Sequence, residues 1–306
     1  MSWKRAVNKN YIKLYVSLFS LFIIVFLPIS MNAQVDNKRM EILEDSLRLV
    51  GEAMYNLKGE AERIDKNFIF VKTLVSSLKE KNSYDYGFKQ LNMISIINSP
   101  DDRFRVFSWN IPLNDGSYLY YGAIQVKTND GSLKLIPLLD KTFEISEPEK
   151  ELLKNDKWYG AQYVEVLGLS SNSYVLLGWK GHHSTYSQKV IEVLTYDKGN
   201  FIFGAKVFEN ERERTRKIFN YGRGLTMYLK YHKELNSIVF DHIVPVEPEF
   251  KDQYQYYGPD LSFDAYELTD GLLRLKSNIV FNSQEPISDM DETKPGRAIP
   301  NKKSGL

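Results

Sequence analysis

The longest regular pattern of apolar residues in the chain runs from Met40 to Leu78. Apolar side chains recur there every three or four residues, which is the spacing of one face of an α-helix, at Met40, Leu43, Leu47, Val50, Met54, Leu57, Ala61, Ile64, Phe68, Val71, Val75 and Leu78. Gly51 and Gly59 are poor residues for a helix interior, and we expect a break near Gly59. The pattern predicts a helical segment over residues 34–82 that buries this stripe against the rest of the protein. Self-association through the same stripe is the alternative.

After Ser83 the pattern changes to short runs rich in Tyr, Phe, Val and Ile, which is typical of β-strands. Hairpin-type turn sequences separate these runs at Asn129-Asp130-Gly131, Lys198-Gly199-Asn200 and Asp270-Gly271. The turns lie about 70 residues apart, and the strand-like runs around them align. This alignment predicts three four-stranded antiparallel meanders, at about residues 88–140, 158–209 and 218–281.

The expected fold class is therefore mostly β, with a β domain over residues 83–282 behind the N-terminal helical segment. Two arrangements of the meanders stay open. A propeller-like array would stack them as blades, although propellers typically have four to eight blades. A barrel-like sheet would let the helical segment cover an open edge. Ordinary hairpin spacing could also produce the period by coincidence.

The first residues have the form of an export signal. Lys4, Arg5, Lys9 and Lys13 form a basic region without an acid, and the next 16 residues or so, 14–29, are almost entirely apolar. We expect a signal peptide over residues 1–33 that is cleaved after Ala33, which leaves no stable transmembrane span. An uncleaved membrane anchor is the alternative, but this segment is shorter than the roughly 20 residues that a spanning helix needs. At the other end, residues 283–306 are polar and predict a disordered tail.

Composition narrows the function classes. The chain has no cysteine, which excludes disulfides and thiolate metal sites, and 43% of its residues are hydrophobic, enough for a substantial core. Removal of the leader takes four of the 40 Lys and Arg and none of the 39 Asp and Glu, so the formal net charge changes from +1 to about −3. This balance predicts no nucleic-acid partner. The basic cluster at residues 212–217 is interleaved with glutamates and indicates a solvated turn.

Parts of the β domain resemble a family of exported, β-rich proteins from Bacteroidetes-type bacteria. The similar phrases span most of residues 90–266: SPDDRFRVFSWNIP (residues 99–112), YVLLGWKGHHS (174–184), KVIEVLTYDKGNFIFGAKVF (189–208), IVFDHIVP (238–245) and QYQYYGPDLSFDAY (253–266). The leader ending in Ala33-Gln34 is similar too. Since no activity is established for that family, the resemblance implies an exported location and no mechanism.

Histidines provide the first candidate chemistry. His182, His183, Asp241 and His242 fall at or just past the end of the second strand of their predicted units, where equivalent strand ends could meet at one rim. Imidazoles with a carboxylate would suit a zinc site, with His182, His183 and His242 as ligands, or a general-base site. No metalloprotease helix, nucleophile elbow or phosphate loop accompanies them. We therefore expect no resident cofactor, and zinc is the one that these residues would suit.

Aromatic residues provide the second candidate. Trp109, Trp179, Tyr186, Tyr256 and Tyr257 lie at the same strand ends and loops. Exposed rings suit stacking on a sugar or holding an extended peptide, because a ring offers a large contact area with little entropy to lose. Buried rings would instead hold the sheets together.

Two functional hypotheses follow. The first is an exported, non-enzymatic binding or structural module of the cell envelope, periplasmic or secreted, whose aromatic rim binds an envelope protein or a glycan. The second is a metal-dependent or acid–base hydrolase with His182, His183, Asp241 and His242 at its centre. The sequence leaves the ligand open.

Overall fold

The computed structural model describes residues 36–281, and the predicted leader and C-terminal tail lie outside this range. It begins with two helices, α1 (Asn37–Asn56) and α2 (Glu60–Leu78). The Asp36 side chain caps α1 by accepting a hydrogen bond from the backbone N–H of Arg39 at 3.1 Å. Gly59 is the N-cap of α2 and has an extended backbone. The break predicted near Gly59 is confirmed.

The buried face of α1 is the predicted stripe, whereas that of α2 matches it only in part. Met40, Leu47 and Met54 are fully buried and pack with residues of the first sheet. In α2 the expected face is only partly correct: Leu78 is fully buried and Ile64 and Val71 are partly buried, whereas Ala61 and Phe68 are exposed. The residues between α1 and α2 are not helical, so the three-to-four-residue repeat of α1 does not continue in register around α2.

Two polar residues, Arg63 and Asn67, lie on the buried face of α2 beside Phe70 and Leu74. Arg63 donates to the Pro112 carbonyl at 3.1 and 2.9 Å and to Asn114 Oδ1 at 3.0 Å. Asn67 Oδ1 accepts from the indole N–H of Trp109 at 2.7 Å. These bonds satisfy polar groups that would otherwise be costly to bury.

The rest of the described chain forms three antiparallel sheets. Sheet 1 consists of β1 (Ser95–Asn98), β2 (Phe104–Pro112), β3 (Tyr118–Val126) and β4 (Lys134–Leu139). Sheet 2 consists of β5 (Leu153–Lys154), β6 (Gln162–Ser170), β7 (Ser173–Lys180), β8 (Tyr186–Asp197), β9 (Asn200–Phe203) and β10 (Lys217–Gly222). Sheet 3 consists of β11 (Leu229–His232), β12 (Ser237–Pro245), β13 (Tyr257–Thr269) and β14 (Leu272–Ile279).

The mostly β class is confirmed, and each sheet contains a meander of four consecutive strands. Two tight hairpins have the expected turns: Lys198 and Gly199 join β8 to β9, and Asp270 and Gly271 join β13 to β14, all four at positive φ. Such backbone suits a two-residue turn between twisted strands. One boundary is wrong: residues 218–222, assigned to the third meander, belong to β10, which pairs with β8 of sheet 2. Sheet 2 therefore has six strands.

The sheets stack in chain order. One face of sheet 1 packs on the helices and the other on sheet 2, whose far face packs on sheet 3. Strand β7 is therefore apolar on both faces, with Tyr174 and Leu176 toward sheet 1 and Val175 and Leu177 toward sheet 3. None of the three sheets formed by residues 36–281 closes on itself, so the barrel-like alternative is wrong.

The helices of the described range are also too short or too polar to be membrane spans, since none combines the length and the hydropathy that crossing requires.

The packing of α1 predicts a sharp contrast between two leucines two positions apart. Leu47 is fully buried against sheet 1, whereas Leu49 is 59% exposed. Leu47→Ala should lower the free energy of unfolding by about 2–5 kcal/mol because it leaves a cavity. Leu49→Ala should change it by no more than about 0.5 kcal/mol. Urea unfolding measures both, and equal losses would show that the outer face of α1 is buried as well.

Candidate functional site

A cleft of about 580 Å³ opens where connections of all three sheets meet. One wall is the connection from sheet 1 to sheet 2, at residues 142–150. The floor is the paired strands β8 and β10, and Tyr254, from the connection between β12 and β13, contributes at one end. The volume lies in the range of small-ligand sites. The lining residues are Thr142, Phe143, Ile145, Ser146, Glu147, Pro148, Glu149, Lys150, Tyr159, His182, Tyr186, Gln188, Ile218, Asn220 and Tyr254.

Strand pleating sets the floor of the cleft. Gln188 of β8 is paired directly with Asn220 of β10, and side chains two positions apart on a strand share a face. Tyr186, Gln188, Ile218 and Asn220 therefore lie on the face that lines the cleft. Polar and apolar side chains alternate along this floor.

A chain of hydrogen bonds orients the polar groups of the floor. The hydroxyl of buried Tyr159 donates to Gln188 Oε1 at 2.6 Å, and Gln188 Nε2 donates to Asn220 Oδ1 at 2.7 Å. Among residues 36–281 the Tyr159 hydroxyl has no hydrogen-bond partner besides Gln188, so its hydrogen is satisfied only when Gln188 Oε1 faces it. This requirement sets the assigned orientation of both amide groups.

The wall is held by a buried arginine. The Arg216 guanidinium donates to the carbonyls of Pro148 and Glu151 and to the Glu192 carboxylate, the last at 2.8 Å. Both side chains of the Arg216–Glu192 ion pair are completely buried. Loss of one partner from such a pair typically costs about 3–5 kcal/mol, because a buried charge is left uncompensated.

The two glutamates and the lysine that line the cleft are all ion-paired within the protein. Glu149 accepts from the Arg214 guanidinium and, at 2.8 Å, from the backbone N–H of Ile218. Glu147 accepts from Lys150 at 2.5 Å. These pairs leave the wall nearly neutral.

Four rings form a continuous series along the rim. Ring centroids are 6.3 Å apart for Phe143 and His182, 5.4 Å for His182 and Tyr186, and 5.4 Å for Tyr186 and Tyr254. The segment that carries Tyr254 can approach β10 because residue 222 is a glycine. A Cβ at position 222 would lie only 2.6 Å from the carbonyl oxygen of the neighbouring Gln255. We name these four residues the aromatic strip. Phe143 is 85% exposed, so its ring is open to a ligand.

The imidazole of His182 is neutral at physiological pH. Burial, with the nearby charge of Lys180, lowers its pKa to about 4. Within residues 36–281 its ring nitrogens have no hydrogen-bond partner, and its ring lies between Phe143 and Tyr186. A neutral imidazole has one donor and one acceptor to offer.

Lys180 lies behind the wall and is 1% exposed. Its Nζ donates to Thr142 Oγ1 at 2.8 Å and to the Gly160 carbonyl, and lies 4.4 and 4.5 Å from the ring centroids of Tyr120 and Tyr159. Burial lowers the pKa of Lys180 to about 8. The Thr142 hydroxyl in turn donates to Asp140 at 2.5 Å. Lys180 therefore holds Thr142, the first residue of the wall, in place.

The predicted histidine centre is divided between two sheets. His182 and His183 both contact Tyr186, at centroid distances of 5.4 Å. His242 instead pairs with Asp264 on sheet 3 at 2.8 Å, and the Asp241 carboxylate accepts from the backbone N–H of Tyr228 at 2.6 Å. In the described part of the chain, no three His, Asp or Glu side chains are arranged to hold a metal ion.

The predicted aromatic residues also separate. Trp109 and Trp179 are 3% and 7% exposed, and Trp109 stacks on Tyr121 while Trp179 meets the edge of Tyr118. These two rings lie between packed elements. Tyr256 packs on Phe250, and the Tyr257 hydroxyl accepts from the backbone N–H of Asp252. Tyr186 is the one of the five that lines the cleft.

Several residues of the cleft were not among the sequence candidates. Asn220 stands between Phe219 and Tyr221 in β10, and this polar residue between aromatic ones was the available signal, whereas Gln188 lies between Ser187 and Lys189 in β8 and had none. Phe143 lies in a short connection and had no such signal.

Comparisons with protein-family models, curated proteins and solved structures each found no match. Function is therefore inferred from the cleft.

The environment of His182 predicts an unusual titration. Its ring protons should titrate in NMR spectra with a midpoint near pH 4, because burial disfavours the imidazolium. In the urea-unfolded chain the same histidine should titrate near its ordinary pKa of 6.5. A folded-state midpoint at 6.5 or above would contradict the burial of this ring in the cleft.

Lys180 predicts a pH-dependent stability. Between pH 8 and 10.5 the unfolded chain keeps the Lys180 proton that the folded protein has lost, so the free energy of unfolding rises with pH through this window. Relative to Lys180→Met, which cannot titrate, the wild-type protein should gain about 3 kcal/mol across it. Urea unfolding of both proteins at several pH values measures the difference, in which the other titrating groups cancel. A difference that does not change with pH would contradict a buried, titrating lysine.

Proposed function

We propose that the protein is a non-enzymatic binding module that holds a glycan in this cleft. The observation that carries the proposal is the aromatic strip beside a floor of oriented amides. Sugars present apolar faces ringed by hydroxyls, so rings with adjacent hydrogen-bonding groups suit them.

The charges of the cleft support an uncharged ligand. Glu147, Glu149 and Lys150 already have partners in the protein, and His182 is neutral. A charged ligand would have to compete with these ion pairs or remain without a partner of its own, which is costly in a partly desolvated site. A neutral oligosaccharide needs no counter-charge.

An extended peptide fits the floor less well. A peptide that added a strand to the edge of β10 would need free backbone groups there. The backbone N–H of Ile218 already donates to Glu149. The wall therefore occupies part of the edge that such a strand would use.

We also propose a propeller-like arrangement of the three sheets and an exported, envelope-associated location. The first strands of successive meanders approach one another, as blades do around an axis: Ser95 of β1 donates its hydroxyl proton to the Tyr163 carbonyl of β6. The Glu165 carboxylate of β6 is hydrogen-bonded by the backbone of Tyr231 in β11. The location rests on the signal-like leader and on the resemblance of the β domain to exported proteins.

Two exposed phenylalanines test the function. Phe143→Ala should weaken binding of a neutral oligosaccharide at least about tenfold, because a stacking ring is worth about 1.4 kcal/mol or more. Phe68→Ala, on the outer face of α2, removes a ring that is 60% exposed and lies outside the cleft, and should leave affinity unchanged. Calorimetric titration with cellotriose, xylotriose and the trimer of N-acetylglucosamine measures both.

Absence of binding to all three trimers would refute the proposal. Equal losses in the two variants would place the binding site elsewhere.

A further inference from the structure

We infer that the cleft recognises the N-acetyl group of an amino sugar, an inference that rests on the proposed glycan-binding function. An N-acetyl group carries a carbonyl acceptor, an N–H donor and a methyl group. The cleft offers a complement to each.

The donor for the carbonyl is the side-chain amide of Asn220. Its Oδ1 is occupied by Gln188 Nε2, which the Tyr159 hydroxyl orients through Gln188 Oε1. Within the described range, Asn220 Nδ2 has no hydrogen-bond acceptor of its own. The hydrogen-bond chain therefore leaves a donor, and not an acceptor, for a ligand at this position.

Apolar contacts for the methyl group come from Ile218 and Ile145. Ile218 precedes Asn220 by two positions on β10 and shares its face, and Ile145 lines the same cleft from the wall. Ile145 is buried, and Ile218 is partly buried against the main core. A methyl group placed beside these side chains would lose contact with water.

The acceptor for the amide N–H is the neutral imidazole of His182. Its position in the aromatic strip puts it beside the rings that would stack on the sugar. Because it is uncharged, one ring nitrogen keeps a lone pair that can accept a hydrogen bond. Removal of a group that a buried site is built to bond leaves polar atoms unpaired, so selectivity for the N-acetyl group follows.

The test compares two trimers of the same ring type that differ mainly at carbon 2, the N-acetylglucosamine trimer and cellotriose. Wild-type protein should bind the N-acetylated trimer at least about tenfold more tightly. Asn220→Asp keeps the acceptor for Gln188 Nε2 and removes the donor for the ligand, so it should abolish this preference, measured as the ratio of the two dissociation constants. Asn92→Asp adds the same charge at an exposed position outside the cleft and should keep the preference.

Each failure has a distinct meaning. Equal affinity of wild-type protein for the two trimers, with binding that still depends on Phe143, would overturn the N-acetyl inference and leave the glycan-binding function intact. A preference that survives in Asn220→Asp would overturn the role of Asn220. No binding of either trimer by wild-type protein, nor of xylotriose, would overturn the function itself.

Discussion

The cleft depends on one buried guanidinium. Arg216 reaches from the start of the β10 segment to the carbonyls of Pro148 and Glu151, to the Phe203 carbonyl and to the Glu192 carboxylate. One side chain thus joins the connection between sheets 1 and 2 to the strands beneath it. A planar group with five donors can satisfy this many acceptors at once, which lysine cannot do. These bonds act together with those of Glu149, whose carboxylate accepts from the backbone N–H of Ile218, to hold the wall beside Gln188 and Asn220.

Polar groups that are used for packing and polar groups that remain open to a ligand lie in different parts of the molecule. Around sheet 1, the polar groups are used for packing: Arg63 and Asn67 of α2 bond to Pro112 and Trp109. Around the cleft the polar groups are only partly used, because among residues 36–281 neither Asn220 Nδ2 nor the ring nitrogens of His182 have a hydrogen-bond partner. Buried polar groups are normally fully paired, so groups left open in a cleft are candidates for contact with a ligand.

Much of the fold could be predicted because its determinants are local. The two-residue turns at Lys198-Gly199 and Asp270-Gly271 supply the positive φ that tight hairpins need, and they set the meanders around them. The phase of α2 could not be predicted, because the break before Gly59 ended the periodicity on which the stripe was based. The pairing of β10 with β8 depends on contacts between distant segments, and a run of six residues carries no local signal of its partner.

The site was harder to predict because it also depends on contacts between segments that are distant in the sequence. Its parts come from residues 142–150, 186–188, 218–220 and 254, and only the folded chain shows that they meet. His182 and Tyr186 were accessible to sequence reasoning because histidines and tyrosines in loops attract attention. His242 was grouped with them on the assumption that equivalent strand ends share a rim, whereas its bond to Asp264 holds it on sheet 3. Equivalent positions in successive meanders need not face one cleft.

The central claim is that the cleft binds an N-acetylated glycan. Isoleucine-methyl NMR during titration with the N-acetylglucosamine trimer tests it most directly, because this measurement locates the ligand without any substitution. Ile145 and Ile218 line the cleft, whereas Ile42 is 61% exposed on α1 and serves as an internal reference. The account predicts saturable shifts of the Ile145 and Ile218 methyl signals with Ile42 unchanged. Shifts at Ile42 with the two cleft methyl groups unmoved would contradict it.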